Sequence, residues 1–456
     1  MKFYNREKEK QRLIKAIKSD KAKLIVIYGR RRCGKSTLIK NVIGSNDVYF
    51  MAQQADESIQ IAQLASAISG KIEGFDSVVY PNWESLFINL NNVVKQTITI
   101  CIDEFPYIVK NSTGLPSVIQ KIIDNNANRN YHLILCGSSQ QMMHGLILDS
   151  SAPLYGRANE ILKITPLNAG WIEDALKCTD EHAVTEYSVW GGVPRYWELR
   201  NDEESFESAV KNIILDRYGV LHEEPSRLFL DDMREFVQAY SILTVVGNGC
   251  NRLSEIASRI NKPANQLSRP IENLIQLGYL KREVPFGEHV KNSKKGLYRI
   301  ADPFMNFYFT FVAPNLSRLE LNLTDQVYNI VESRVSYFVS IEWGNLCRRC
   351  VPMQPVQGIN FDIAYRWWGT NIENKPMEID VIAESLDKRF LLVGECKWSE
   401  IENAQKLLAD LTHKAGLLPF AKNKIIIPVV FMKKTGKRVG NERVLLPSDV
   451  MGRLKV

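Results

Sequence analysis

Residues 29–36 read Gly-Arg-Arg-Arg-Cys-Gly-Lys-Ser, a complete G-x-x-x-x-G-K-[ST] pattern. The pattern only works between a strand and a helix, so it dictates the local fold on both sides. The apolar run from Lys23 to Tyr28 predicts a buried strand before it, and Thr37 to Val42 has helical spacing after it. Gly29 and Gly34 let the backbone curl until successive N–H groups face an anion, and the helix N-terminus adds its dipole. Lys35 then reaches the β- and γ-phosphates of a nucleotide, and the Ser36 hydroxyl holds Mg²⁺. The expected nucleotide-binding set is Gly29, Arg30, Arg31, Arg32, Cys33, Gly34, Lys35, Ser36 and Thr37.

A second signal follows downstream. Thr97 to Glu104 is an apolar strand ending in two carboxylates, Asp103 and Glu104. In such a site the first acid contacts Mg²⁺ and the second polarises the attacking water. Glu104 is therefore the expected catalytic base beside Lys35, with Ser36 and Asp103 on the metal. A third strand, His132 to Gly137, ends in Ser138-Ser139, which either sense the γ-phosphate or merely cap a turn. With further strands at Val48–Met51 and Ile161–Thr165, the pattern predicts a parallel α/β sheet with its ligand at the strands' carboxyl ends. Arg157, on the loop Pro153-Leu154-Tyr155-Gly156-Arg157, is a candidate for stabilising charge on the transferring phosphate. It would act within the chain or across a subunit boundary in a homo-oligomer. Gly191-Gly192-Val193-Pro194 reads as a lid element, with Arg195 as a further nucleotide contact.

These residues resemble the archaeal-type AAA ATPases, a branch of the STAND-like P-loop NTPases. The resemblance rests on Phe3-x-Asn5-Arg6-Glu7, the glycine loop, Ile-Asp-Glu-Phe at 102–105, Leu-Tyr-Gly-Arg at 154–157 and Gly-Gly-Val-Pro at 191–194. It implies ATP as the nucleotide and places Asn5 and Arg6 near the base or ribose.

The chain has 456 residues and a formal charge of +7, which permits an acidic polymer such as DNA as partner. No apolar run reaches the eighteen or so residues of a membrane span, and the amino terminus lacks a signal-peptide core, so no membrane partner is expected. Eight scattered cysteines fit reduced thiols in the cytoplasm, and the lone Cys347-x-x-Cys350 pair makes a weak case for a metal site.

From about Asp231 the pattern changes to short helices, at 233–244, 253–260 and 264–277, followed by two strands joined by a basic turn at 291–296. That order predicts a winged helix-turn-helix. Gln266 and Arg269 would meet a DNA groove, as would Asn265 and Ser268, with Lys291, Lys294 and Lys295 on the phosphate backbone. The alternative is that the wing only packs against the ATPase. Aromatic residues 304–311 read as core.

Beyond Pro314, Glu378–Ala383 and Arg389–Trp398 predict a hairpin. Period-two geometry puts Glu395 and Lys397 on one face and lets Asp380 meet them. Asp380, Glu395 and the Cys396 carbonyl could bind Mg²⁺, with Lys397 orienting water in a phosphodiesterase. The arrangement resembles the PD-(D/E)xK nuclease core, which implies an upstream helical glutamate, here Glu342. The alternative is a degenerate nuclease fold that only binds. The expected layout is a P-loop core at 1–168, a helical lid at 169–230, the winged helix at 231–313 and an α/β restriction-endonuclease-like domain at 314–456. The expected function is ATP hydrolysis coupled to DNA binding and Mg²⁺-dependent DNA cleavage, or else a non-nucleolytic ATP-dependent switch or regulator that binds DNA or a protein partner.

Overall fold

The computed structural model describes residues 3–125, 129–232, 236–290, 292–401, 403–435 and 443–456. The chain forms two compact units: Asn5–Pro166 with Arg227–Arg234, and Met1–Tyr4 with Leu167–Ser226 and Glu235–Val456.

The first unit is built on five strands: β1 (Leu24–Tyr28), β2 (Val48–Met51), β3 (Ile98–Asp103), β4 (Tyr131–Gly137) and β5 (Glu160–Lys163). They pair in the order β2-β3-β4-β1-β5, and every pairing is parallel. Strands covered on both faces are largely apolar and buried along their length: Leu24–Ile27, Ile100–Ile102 and all seven residues of β4 are buried, His132 being the one polar side chain among them. The helices Glu57–Ser69 and Trp83–Val93 supply Leu64, Trp83, Phe87 and Leu90 to the core on one side. The Ile164 amide donates to the Tyr28 carbonyl, so the β1–β5 ladder runs up to Gly29. There the chain needs glycine. Gly29 has φ of 147°, and a Cβ would lie 2.1 Å from the Ile164 carbonyl oxygen.

The second unit begins with the helices Ile172–Leu176, Asp180–Trp190 and Pro194–Asn201, around fully buried Trp190, Tyr196 and Trp197. Three further helices follow at Phe236–Gly247, Leu253–Ile260 and Ala264–Gln276; Met233, the expected start of the first, lies outside the described residues. The antiparallel pair β6 (Leu280–Glu283) and β7 (Leu297–Ile300) comes next. Phe304, Phe307, Phe309 and Phe311 are all buried. A 27-residue helix, Thr324–Cys350, then leads into β8 (Tyr365–Thr370), β9 (Pro376–Glu384), β10 (Phe390–Ile401), β11 (Ile425–Thr435) and β12 (Val444–Leu445). The sheet order is β12-β11-β10-β9-β8, with β8–β9–β10 antiparallel and β10–β11–β12 parallel. Helix Ala404–Gly416 covers one face through Leu411 and Ala415. The long helix meets the same sheet through Trp343, whose ring lies 5.3 Å from that of Trp398.

All eight cysteines are free thiols, and among the described residues no helix is long and apolar enough to cross a membrane.

Candidate functional site

The carboxyl ends of β1, β3 and β4 bring together the loop, the two acids and the serine pair. Gly34, at φ of 90°, caps the helix Lys35–Lys40, and Thr37 is exposed in its first turn. Lys35 is buried, and its ammonium donates to the carbonyls of Gly29 at 2.9 Å and Arg30 at 3.0 Å. Ser36 Oγ donates to Asp103 Oδ2 at 2.6 Å, and the Tyr49 hydroxyl donates to the same oxygen. The Glu104 amide closes the other side, 2.9 Å from Asp103 Oδ1. Burial pushes the Asp103 carboxyl up, but bonds from the Cys136 thiol, Ser36, Tyr49 and the Glu104 amide outweigh it and hold Asp103 below the usual range. An ionised carboxylate beside a serine hydroxyl is the hard oxygen pair that suits Mg²⁺.

Glu104 occupies a left-handed backbone conformation at the N-terminus of the helix Phe105–Asn111. That turn carries its carboxylate to Ser138, where Oε2 accepts from Ser138 Oγ at 2.8 Å and from its amide at 3.2 Å. Arg31 Nε donates to Ser138 Oγ at 3.4 Å, and Arg31 also bonds the Tyr107 hydroxyl. Ser139 caps the next helix, accepting from the Met142 amide. Arg6, also left-handed, donates to the carbonyls of Cys33 and Thr165 and pairs with Glu9 at 3.1 Å. Arg6 thus lies against the loop at Cys33, with Asn5 next to it in the chain. Arg30 is buried, and Arg32 takes φ of 66° within the loop turn.

Arg157 requires a correction. The Asn159 amide bonds the Leu24 carbonyl, which puts Arg157 at the amino ends of the strands. It pairs there with Asp124 at 2.8 Å. The loop lies at the other end of five-residue β1, roughly 16 Å away, so Arg157 does not serve its own chain's phosphates.

In the second unit, Gly394 stands opposite Val381, which brings Glu395 next to Asp380. The Cys396 amide donates to Asp380 Oδ2 at 2.9 Å. Lys397 Nζ lies 2.8 Å and Lys414 Nζ 3.4 Å from the Glu395 carboxylate. Burial raises Asp380, and the Glu395 charge adds to the rise, against the Cys396 amide, Arg348 and Arg366. Glu342 does not join this set as expected. It is buried on the long helix, accepts from Asn345 Nδ2 at 2.8 Å and lies near Lys281, Arg349 and Arg348. Among the described residues no three His, Cys, Asp or Glu side chains gather to hold a metal. The three-acid metal set is therefore reduced to Asp380 and Glu395. Gln266, Arg269, Lys294 and Lys295 are exposed, Lys295 paired with Glu288 at 3.0 Å; Lys291 lies outside the described residues. Arg195 pairs with Glu198 at 2.9 Å.

The sequence reading missed Tyr49, Lys414 and Arg348. Tyr49 could have been sought, since a second strand beside the acid-bearing one is implied by the parallel sheet; nothing local signals the other two.

A family described as an ATPase domain predominantly from Archaea matches residues 3–198, and one described as archaeal and bacterial proteins of unknown function matches 308–407. The uncharacterized protein MJECL04 of Methanocaldococcus jannaschii is 30% identical over 449 residues, 96% of this chain and 98% of that one. The chain belongs to this archaeal ATPase family. It is an archaeal AAA-type P-loop ATPase, an enzyme that binds and hydrolyses ATP. The Walker-type ATPase PABY2304 of Pyrococcus abyssi shares the fold, with a TM-score of 0.53 at 18% identity over 67% of this chain and 96% of that one.

Proposed function

We propose that ATP hydrolysis at Gly29–Ser36 is the control step of a protein that acts on DNA. The observation that carries the hydrolytic part is the unbroken contact chain Ser36–Asp103–Glu104–Ser138. On ATP binding, Lys35 exchanges the carbonyls of Gly29 and Arg30 for β/γ-phosphate oxygens, while loop amides from Arg30 to Thr37 enclose the phosphates. Asp103 and Ser36 would hold Mg²⁺, which neutralises phosphate charge when bound. Glu104 leaves Ser138 to accept a proton from the attacking water, and Ser138 with Arg31 is then available to the γ-phosphate. Asn5 and Arg6 bound the loop on the base side. Arg157 would reach only a neighbouring subunit's phosphates in a homo-oligomer.

We assign the layout as core 1–168, lid 169–230 carrying Arg195, winged helix 231–313 and nuclease-like domain 314–456. Support for the winged helix comes from three helices followed by the β6–β7 hairpin, with Gln266 and Arg269 exposed on the third helix. Lys294 and Lys295, with Lys291, would contact phosphates. The free thiols fit the reducing cytoplasm. Steady-state hydrolysis tests the site: Lys35→Ala should lose ATP binding, and Glu104→Gln should bind ATP but turn it over slowly. Wild-type hydrolysis in both variants would remove the assignment.

A second reading, Mg²⁺-dependent DNA cleavage, is favoured by one observation, the meeting of Asp380, Glu395 and Lys397 on a mixed sheet. Among the described residues only two carboxylates meet there, and two lysines occupy Glu395, so the switch reading stands first. Cleavage with Mg²⁺ or Mn²⁺ that disappears in Lys397→Ala and Asp380→Ala would reverse that order.

A further inference from the structure

A cavity of about 390 Å³ opens between β6 and the carboxyl end of the helix Thr324–Cys350. Five cations line it, Lys281, Arg282, Arg348, Arg349 and Arg366, and the one carboxylate among the lining residues is Glu283. That carboxylate is already shared three ways, with Lys281 at 2.9 Å, Arg299 at 3.0 Å and Arg366 at 3.5 Å. Arg348 and Arg349 are met by neutral oxygens instead. Arg348 donates to the Asp380 carbonyl at 2.9 Å and Asn345 Oδ1 at 2.7 Å. Arg349 donates to Asn168 Oδ1 at 2.9 Å and the Tyr187 hydroxyl at 3.2 Å. Arg366 also pairs with Glu378, half-exposed outside the lining, and Glu342, behind Asn345 and near Lys281, is itself buried. Glu283 registers the resulting field. Burial alone would raise its pKa, but Lys281, Arg348 and Arg299 bring it down to about 2.

Packing alone does not require such an excess of positive charge, because partly desolvated cations cost free energy unless an anion compensates them. The remaining wall is apolar, with Val284, Val290, Met353 and Ile363. A cavity of a few hundred Å³ with an apolar wall and convergent polar groups has the dimensions and chemistry of a small-molecule site. Guanidinium pairs match phosphate oxygens in geometry as well as charge.

We infer that this cavity binds a phosphomonoester of mononucleotide size, its phosphate at Arg348, Arg349 and Lys281 and its organic part against Met353 and Ile363. The site is separate from the glycine loop and does not depend on it. Arg348 links the two ends of the C-terminal domain's chemistry, since the same guanidinium holds the Asp380 carbonyl.

Calorimetric titration of the full chain with AMP, and with adenosine as the uncharged control, tests the inference. One AMP should bind per chain, at least tenfold more tightly than adenosine, and binding should persist in Lys35→Ala. Arg348→Gln should weaken AMP at least tenfold. Ile363→Glu, at a wall residue 59% exposed, should do the same by repulsion without threatening the fold or ATP turnover. No AMP binding to the wild-type chain, or equal binding in Ile363→Glu, would overturn the inference.

Discussion

Four donors hold Asp103 ionised, and the three from side chains, Ser36, Tyr49 and Cys136, can be removed singly. Ser36→Ala removes both a hydrogen bond to Asp103 and the expected second oxygen for Mg²⁺, so hydrolysis should require far more Mg²⁺, read from a metal titration of ATP turnover. Glu104 is different in kind. As a general base its loss should cost about 10² to 10⁴ in kcat with nucleotide affinity retained. Gly29→Ala puts a Cβ onto the Ile164 carbonyl at a φ that L-residues avoid, so it should destabilise the first unit by at least about 1–3 kcal/mol in denaturant unfolding and weaken ATP binding. Glu283 gives a pH signature. Its folded pKa near 2 lies below the ordinary 4.5, so its stabilisation is present above about pH 4.5 and fades as pH falls towards 2. The shift corresponds to stabilisation on the order of 3 kcal/mol. Acid unfolding of Glu283→Gln should accordingly lose stability near pH 7 but differ little from wild type near pH 2.

At the scale of elements, the helix pair Asp180–Trp190 and Pro194–Asn201 is held by a buried ion pair. Arg200 grips Glu186 at 2.8 Å, and Trp190 Nε1 donates to the same carboxylate at 2.7 Å. Arg200→Ala leaves Glu186 buried without its cation and should cost about 3–5 kcal/mol, whereas removing both partners costs less, as a double-mutant cycle would read. Contiguous signals made most elements legible. The glycine loop, the strand ending in Asp103-Glu104, the helices at 253–260 and 264–276 and the hairpin carrying Asp380 and Glu395 all announce themselves within a dozen residues. What stayed hidden was set by pairing between distant segments. Arg157 sits within the matched motif Leu-Tyr-Gly-Arg, yet the pairing of β5 with β1 puts it at the wrong end of the sheet for its own phosphates. Glu342 lies on the expected helix, but its position on that helix turns it toward Asn345 and Lys281. Tyr49 reaches Asp103 only because β2 lies beside β3.

For the whole molecule, the chain hydrolyses ATP, and the coupling of that step to DNA is proposed. If the third helix and the basic turn contact DNA, Arg269→Ala should weaken DNA binding and relax its sequence preference, and Lys295→Ala should lower the salt dependence of the binding constant by about one unit of slope. We propose the Ser36–Asp103–Glu104–Ser138 chain as the hydrolytic centre. Its most direct test is single-turnover ATP hydrolysis by wild type and Glu104→Gln at saturating ATP and Mg²⁺, with nucleotide binding measured alongside. Glu104→Gln should keep nucleotide binding intact and slow the chemical step at least about a hundredfold. A variant that binds ATP and hydrolyses it at the wild-type rate would contradict that assignment.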